Sequence, residues 1–530
     1  MQRIKEFFTQ LINRFLESVR RFLLTNIFLA FITLVLVISI IIDNLSDPYQ
    51  YLLLAATLGG LTSFVLTLAD EKYRITNGKI INIIVSLSVT IATYIVFHFF
   101  SENDYVFLGY IGLLLVEMCI SFYLLFFIED NKKLFASLLC SLLYCHVMIT
   151  TIVLGLSVCL LAFETLIYRF DNFERLYLIA GAIFEVFVAN SLFLSYIPTR
   201  DEKLSVSRAY ENILHKAALT VYYLLIGILY IYLAKVLITF ELPINKINWF
   251  ASFALLFYCL FYLSCHYAEK GIGLFHLKYG GFLMLPIMLV QNYVLFLRIS
   301  AYGLTTPRYL SVMFNLIALA FIISSFFKKG AKPVFLFIAA VVAVLSIGPF
   351  NMIDVPFNSQ SKRMEKILLK NGMLDGKTIV ANPDISEEDK REIREIYNYL
   401  QRSASKKENY ITDIFDSEFE TVFGFKRSAE EETVKEDYIN CDYYNSYEVF
   451  DIEGYRSMEY IDYGCSVEIA GYNIENYFWS LYNTYGKSQT TSLVYTTEDG
   501  TRIIFGRIFF SVVDKTEIRE VDYNCFILRK

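Results

Sequence analysis

The chain has 530 residues, of which 56% are hydrophobic and only 19% charged, with a mean hydropathy of +0.47. Soluble globular proteins run nearer about 45–50% apolar, so the composition argues against a cytosolic enzyme. Residues 1–351 carry a net charge of +5 and residues 352–530 a net −11, so a long apolar block precedes an acidic, water-compatible one. No basic stripe interleaved with aromatics stands outside short loops, and nucleic acid is not expected as a partner.

In chain order, residues 1–21 come first. Ile4, Phe7, Phe8, Leu11, Ile12, Phe15 and Val19 recur at three- and four-residue spacing, with Arg and Lys opposite. That pattern predicts a basic amphipathic helix lying on the inner leaflet, with a partner-binding helix as the alternative. A cleaved signal peptide is disfavoured, because the charged stretch is long and no small-residue cleavage site follows the apolar run.

Residues 22–351 read as a polytopic bundle. A bilayer-crossing helix needs about 20 mostly apolar residues. Eleven segments qualify: 22–42, 50–69, 80–100, 105–128, 134–168, 176–197, 217–240, 249–267, 279–300, 309–327 and 333–350. With the N-terminus in the cytoplasm, the inner loops hold nineteen Lys and Arg and the outer loops five. Cytoplasmic loops are the basic ones, so this bias places the tail outside. The expected location is a bacterial cytoplasmic membrane, with the bilayer itself as partner. Segment 134–168 is the awkward one, at roughly 52 Å of helix for one crossing. Two crossings would need a turn near Thr150 and would move the tail to the cytoplasm, yet no Pro, Asn-Gly or charge marks a turn there.

Ionisable residues inside spans are costly and are functional candidates by default. Glu117, His146 and Glu185 fall near mid-span, joined by the neutral polar Asn190, Gln291 and Asn292. If these converge, two carboxylates and an imidazole can relay protons or bind a cation; otherwise each is neutral and satisfied by nearby hydroxyls. Pro286 interrupts the ninth segment's hydrogen-bond ladder and is expected to kink it.

Residues 352–530 are long enough for a domain of their own. The first half reads helical: Met364, Ile367 and Leu368 are followed by the stop Asn371-Gly372. The capping pattern Ser386-Glu-Glu-Asp389 then precedes Ile393, Ile396, Tyr397 and Leu400. The second half reads as strands, with a hairpin over 492–513 turning at Glu498-Asp499-Gly500 and further strands at 447–452 and 522–528. The whole predicts an all-α polytopic membrane bundle followed by a small extracytoplasmic α+β domain. Of nine Cys, six fall in spans; Cys441, Cys465 and Cys525 in the tail allow at most one internal disulfide. No zinc-type C-x-x-C, HExxH, nucleophile elbow or nucleotide-binding loop occurs, so neither a metal nor a cofactor is expected, and no catalytic residue is assigned.

One loop is more specific. Residues 297–310 contain Arg298, Tyr302-Gly303, Thr305 and Pro307-Arg308-Tyr309; later come Gly348-Pro349, Ser359-Gln360-Ser361-Lys-Arg363, Asn371-Gly372-Met-Leu374-Asp-Gly376-Lys377 and Phe450-Asp-Ile-Glu-Gly454-Tyr455. Together with the apolar block, the chain resembles a family of bacterial polytopic membrane proteins known only as a domain of unknown function. The resemblance implies a membrane location and supplies no activity. Read physically, Arg298 and Arg308 bracket a Tyr-Gly turn. Two guanidiniums beside an aromatic either dock the acidic tail through its carboxylates or hold an anionic lipid or solute. The function expected is binding or moving a small solute or lipid without enzymatic chemistry. A membrane-embedded transferase for lipid-linked substrates and a sensor or assembly scaffold are the alternatives.

Overall fold

Apolar periodicity becomes long helices because a backbone in hydrocarbon must satisfy its own polar groups. The computed structural model describes residues 2–530 apart from 44–45, 127–130, 167–172, 201, 240–246, 328–329, 377, 404–410, 412, 415, 428–435, 443–453, 470, 485–492, 514 and 516. The chain divides into two compact units, Met1–Val380 with Glu395–Ile414, and Ala381–Arg394 with Phe415–Lys530.

The first unit opens with the amphipathic helix α1 (Gln2–Arg21), then α2 (Leu23–Ile42), α3 (Asp47–Tyr73), α4 (Gly78–Phe100), α5 (Asp104–Leu125) and α6 (Leu134–Leu166). Next, α7 (Phe173–Gly181) and α8 (Asn190–Ser195) flank a π-helical stretch, Ala182–Ala189; α9 (Arg208–Asn212) and α10 (Leu219–Thr239) flank another, Ile213–Ala218. The apolar helices finish with α11 (Ile247–Ser264), α12 (Gly271–Tyr302), α13 (Thr306–Phe327) and α14 (Lys332–Ser346). Among the described residues, nine helical stretches are long and apolar enough to cross a membrane. The segments expected at 249–267 and 333–350 are shorter apolar helices, Trp249–Ser264 and Lys332–Ser346. The second is 15 residues, about 22 Å at helical rise. It stops where Ile347 turns extended and Gly348 takes φ +86° ahead of Pro349. The described part of segment 134–168, Leu134–Leu166, is one unbroken helix with no turn near Thr150. Pro286 lies inside α12, which is continuous on both sides of it.

Local signals set the helix ends. Asn103 caps α5 by accepting from the Tyr105 amide at 3.1 Å, and Asn77, with φ +59°, turns the chain into α4. Close approaches use small residues: a Cβ on Gly112 would collide with Ser346, joining α5 to α14, and one on Gly59 would meet Thr90 of α4. Membrane helices commonly pack this way, since close backbones gain dispersion contacts that lipid cannot give. The apolar face of α1 is partly spent inside the protein, with Leu11 and Phe15 packing around Cys145, Ile149, Ala189 and Leu192. After α14 the unit continues through α15 (Asp354–Lys370) and the short hairpin β1 (Leu374–Asp375) and β2 (Thr378–Ile379). Met364, Ile367 and Leu368 are buried along α15 as their spacing requires.

Helix α16 (Glu387–Gln401) begins where the Ser386 hydroxyl accepts from the Asp389 amide at 3.1 Å, the expected cap. Ile393, Ile396, Tyr397 and Leu400 are all buried. The second unit then holds α17 (Phe419–Phe423), β3 (Glu436–Asp442), β4 (Ser457–Gly464), β5 (Glu468–Ile469), β6 (Tyr472–Asn473), α18 (Glu475–Thr484), β7 (Val494–Thr496), β8 (Arg502–Val513) and β9 (Glu517–Arg529). The main sheet is antiparallel, in the order β3-β8-β9-β4, with β7 also paired to β8. The β7–β8 hairpin turns at Gly500, φ +81°, as the Asp-Gly signal required. Phe478 of α18 stacks edge-on against Phe510 at 5.2 Å, covering a core with Ile503, Phe505, Ile508 and Ile527. The strand expected at 447–452 and the side chain of Cys441 lie outside the described residues.

Candidate functional site

The six polar residues expected at mid-membrane form separate groups. Glu117, on α5, accepts from the Thr62 hydroxyl of α3 at 2.8 Å, while its other oxygen, Oε2, is buried without a hydrogen-bond partner. Glu185 lies on the π-helical stretch and is reached from α6. His146 Nδ1 stands 3.2 Å from Oε2, and the Thr150 hydroxyl donates to Oε1 at 2.6 Å. Thr150 and His146 lie one helical turn apart, which puts both on one face of α6. Asn190 secures the end of the π stretch, its amide nitrogen donating to the carbonyls of Glu185 (3.1 Å) and Val186 (2.9 Å). Such widened turns gather at functional sites because they re-aim one side chain and free a carbonyl. Gln291 donates to the Ser252 hydroxyl at 2.9 Å, and Asn292 accepts from Asn315 at 2.9 Å. Among the described residues no hydrogen bond joins Glu117 to the His146–Glu185 pair, so the three-residue relay does not assemble; the pair stands alone. No group of three metal-ligating side chains occurs among the described residues.

The loop after α12 is tied down by several hydrogen bonds. Gly303 turns with φ +67°, and a Cβ there would sit 2.8 Å from the Gln360 amide nitrogen. That nitrogen donates to the carbonyls of Tyr302 and Leu304, each at 3.0 Å. Arg363, one turn further along α15, also donates to the Tyr302 carbonyl, at 3.1 Å. Arg308 reaches back to the carbonyls of Tyr302 (3.2 Å) and Gly303 (2.6 Å). The guanidiniums of Arg308 and Arg363 each lie 5.7 Å from the centre of the Tyr302 ring, close enough for cation–π attraction. The Ser359 hydroxyl accepts from the Leu304 amide at 2.9 Å, and the Tyr399 hydroxyl meets Thr306 Oγ1 at 2.9 Å.

The loop therefore docks on the first part of the tail, α15 and Tyr399, through amides, hydroxyls and carbonyls. The expected Arg–carboxylate pairs are not what holds it. The α15 carboxylate of Asp354 accepts from the Tyr105 hydroxyl at 2.6 Å and from Asn351 at 3.1 Å. Arg298, whose charge is felt at Arg308, has its Nε buried with no hydrogen-bond partner. Beside the loop opens a cavity of about 550 Å³ lined by Thr306, Met352, Ile353, Glu395, Tyr399 and Arg402. The site thus concentrates positive charge, with neither Arg298 nor Arg308 neutralised by a carboxylate among the described residues.

Sequence reasoning missed Thr62, Gln360, Arg363 and Tyr399. Gln360 and Arg363 stand in a stretch already singled out and share a helix face at three-residue spacing, but only the fold shows which carbonyls they meet.

No match to this chain is found among curated proteins or among solved structures. A family model, described as a domain of unknown function (DUF4153), matches residues 25–379, which run from near the start of α2 to the end of β2. With two thirds of its length matched and nine helical stretches able to cross a bilayer, the chain is a multi-pass membrane protein that belongs to this family.

Proposed function

We propose that the protein binds an anionic solute or lipid headgroup at the Arg298–Tyr302–Arg308 element, in a bacterial cytoplasmic membrane, with the C-terminal domain extracytoplasmic. The observation that carries this reading is the uncompensated charge of Arg298 beside Arg308. A guanidinium with a buried, unpartnered nitrogen is costly to maintain, and an anion supplied from outside offsets that cost. Arg also presents the planar, bidentate geometry that phosphate and carboxylate fit. The nineteen-to-five loop bias supports the orientation; a phosphatase reporter fused after Lys530 is expected to be active, and activity of a cytoplasm-only reporter there would reverse it.

Binding is tested on the purified full chain by native mass spectrometry and thermal shift, with phosphatidylglycerol, phosphatidylcholine and inorganic phosphate as probes. We expect retention of the anionic species and its loss in Arg298→Gln. Equal retention of all probes, unchanged in the variant, refutes the reading.

The His146–Glu185 pair favours movement of the bound species over static binding, because a carboxylate and an imidazole on a π-helical stretch form a protonatable couple at membrane depth. In reconstituted vesicles, Glu185→Gln should then abolish any pH-gradient dependence of uptake while leaving binding at the arginines intact. Uptake that keeps its full pH dependence in that variant removes the pair from the mechanism.

A further inference from the structure

A second charged cavity, of about 390 Å³, lies where the end of α1 meets the start of α2, the end of α3 and the start of α4. Its polar walls are Arg20, Arg21, Asp70, Glu71, Lys79 and Asn82. We propose that it holds the headgroup of a zwitterionic aminophospholipid, with the phosphate between Arg20 and Lys79 and the ammonium against Asp70.

The argument starts from which charges are already spent. Arg21 and Glu71 form a two-pronged pair at 2.7 and 2.8 Å, and Arg21 also donates to the carbonyls of Ile197 and Pro198. They neutralise each other and fix the corner. Asn82 is consumed as well, its nitrogen donating to the Ser63 carbonyl and the Thr67 hydroxyl, each at 3.1 Å, and its oxygen accepting from Ser86 at 3.0 Å. Among the described residues Asp70 is bonded only through Oδ1, which accepts from the Ile75 amide at 3.1 Å. What remains is two cations, Arg20 and Lys79, both exposed, and one half-used carboxylate. A lone phosphate would leave Asp70 unmatched, and a lone cation would leave Arg20 and Lys79 unmatched. A phosphate joined to a primary ammonium satisfies all three.

Apart from Thr67, whose hydroxyl is already bonded to Asn82 and to the Ser63 carbonyl, the remaining walls are hydrocarbon and Gly78. Leu23, Ile27 and Ile83 line the cavity and are 57%, 53% and 47% exposed. Large apolar side chains bared at the ends of spanning helices face acyl chains, so a headgroup in the cavity has its tails alongside α2 and α4. A soluble phosphoammonium compound shares the polar chemistry and has no use for that apolar wall, which is why the lipid is favoured.

The test uses the full chain, delipidated in detergent and examined by native mass spectrometry with phosphatidylethanolamine, phosphatidylglycerol, phosphatidylcholine and the free headgroup glycerophosphoethanolamine. Phosphatidylethanolamine should be retained best. Arg20→Gln with Lys79→Gln should weaken it about tenfold or more, since a single charge-assisted hydrogen bond to the phosphate accounts for about that factor. Neither side chain makes an internal bond among the described residues, so this variant is expected to fold. Asp70→Asn keeps the acceptor for Ile75 and should erase the preference for phosphatidylethanolamine over phosphatidylglycerol. Equal retention of the three lipids, or retention indifferent to the double variant, overturns the proposal. A phosphatidylglycerol preference that Asp70→Asn leaves unchanged reduces the site to a simple anion pocket and overturns it too. Glycerophosphoethanolamine binding as tightly as the whole lipid assigns the cavity to a soluble ligand instead.

Discussion

Gln360 is the pin of the loop after α12, and replacing it by Leu isolates what that pin does. Leu matches the side chain closely in volume and leaves the packing of α15 largely intact. It removes both donors that hold the Tyr302 and Leu304 carbonyls at 3.0 Å. The Tyr302 carbonyl keeps Arg308 and Arg363 as donors, so the effect there is mild. The Leu304 carbonyl loses the donor that α15 supplies, at a position where Gln360 itself is only 2% exposed. A net hydrogen bond contributes about 1 kcal/mol and a stranded buried carbonyl costs about 1–3 kcal/mol. The loop should therefore be destabilised by about 2–4 kcal/mol, raising the population that opens locally by roughly 30- to 1,000-fold. Limited proteolysis of the full chain, with cleavage mapped between residues 298 and 310, reads that population directly when opening is faster than cutting. Cleavage should accelerate by at least tenfold, while cutting in the β8–β9 region of the second unit stays as it was. A Gln360→Leu protein cut in the loop at the parental rate would show that Ser359 and Tyr399 hold the loop unaided, and the reasoning would fail.

Gly112→Leu should separate α5 from α14, because even a Cβ at that position meets Ser346. Overpacking of this kind costs about 1–3 kcal/mol or more, seen as a lower melting temperature in detergent that Ser346→Gly partly restores; no change would mean the two helices part freely. In the second unit, hydrogen bonds from Thr497, Tyr472 and Thr501 hold the Asp499 carboxyl well below the usual carboxylate range. A depressed folded-state value means that the stabilisation is present above about pH 4 and lost as pH falls through the folded value. Asp499→Asn should lower the unfolding temperature at pH 7, followed by Trp479 fluorescence, and flatten its dependence on pH below 4; identical curves for both proteins would dismiss the turn carboxylate. Cys525 is fully buried and its thiol is pushed up to about 11 by desolvation, whereas Cys465 is exposed. Peptide mapping after brief alkylation should find Cys465 modified and Cys525 protected until denaturant is added, and equal modification of both would contradict the core assignment.

Much of the architecture is legible in the sequence because hydrophobic runs and caps act locally. Ser386, Asn371-Gly372 and Asp499-Gly500 each set a boundary by bonding to, or bending, their own backbone, and each appears where its spacing points. Span length is less legible: residues 333–350 read as one crossing, but Gly348 and Pro349 end the helix early, and hydropathy alone does not register a turn cut short. The intramembrane acids mark the limit more clearly. Glu117 and Glu185 look equivalent on a hydropathy profile, yet one meets Thr62 and the other His146, since which helices become neighbours is decided by tertiary packing. The π-helical stretch that carries Glu185 is likewise invisible, its residues differing in no local way from an ordinary helix. At the loop, the charge of the two arginines is evident from the sequence, whereas what they meet is not: Arg308 turns back onto the loop's own carbonyls and Arg298 Nε is buried without a hydrogen-bond partner.

Helix α6 is a single helix of 33 residues, about 50 Å long. At the steepest usual tilt, about 40°, it still extends about 38 Å along the membrane normal, against about 30 Å of hydrocarbon. Yet large apolar side chains stay bare to its end, with Leu154, Val158, Leu161 and Leu166 each at least half exposed. The excess length makes the protein sensitive to membrane thickness. A thicker bilayer covers that apolar end at no elastic cost, while a thinner one must stretch locally around α6 or drive a second apolar surface onto it, so lipid chain length becomes a variable that acts on this fold through one helix.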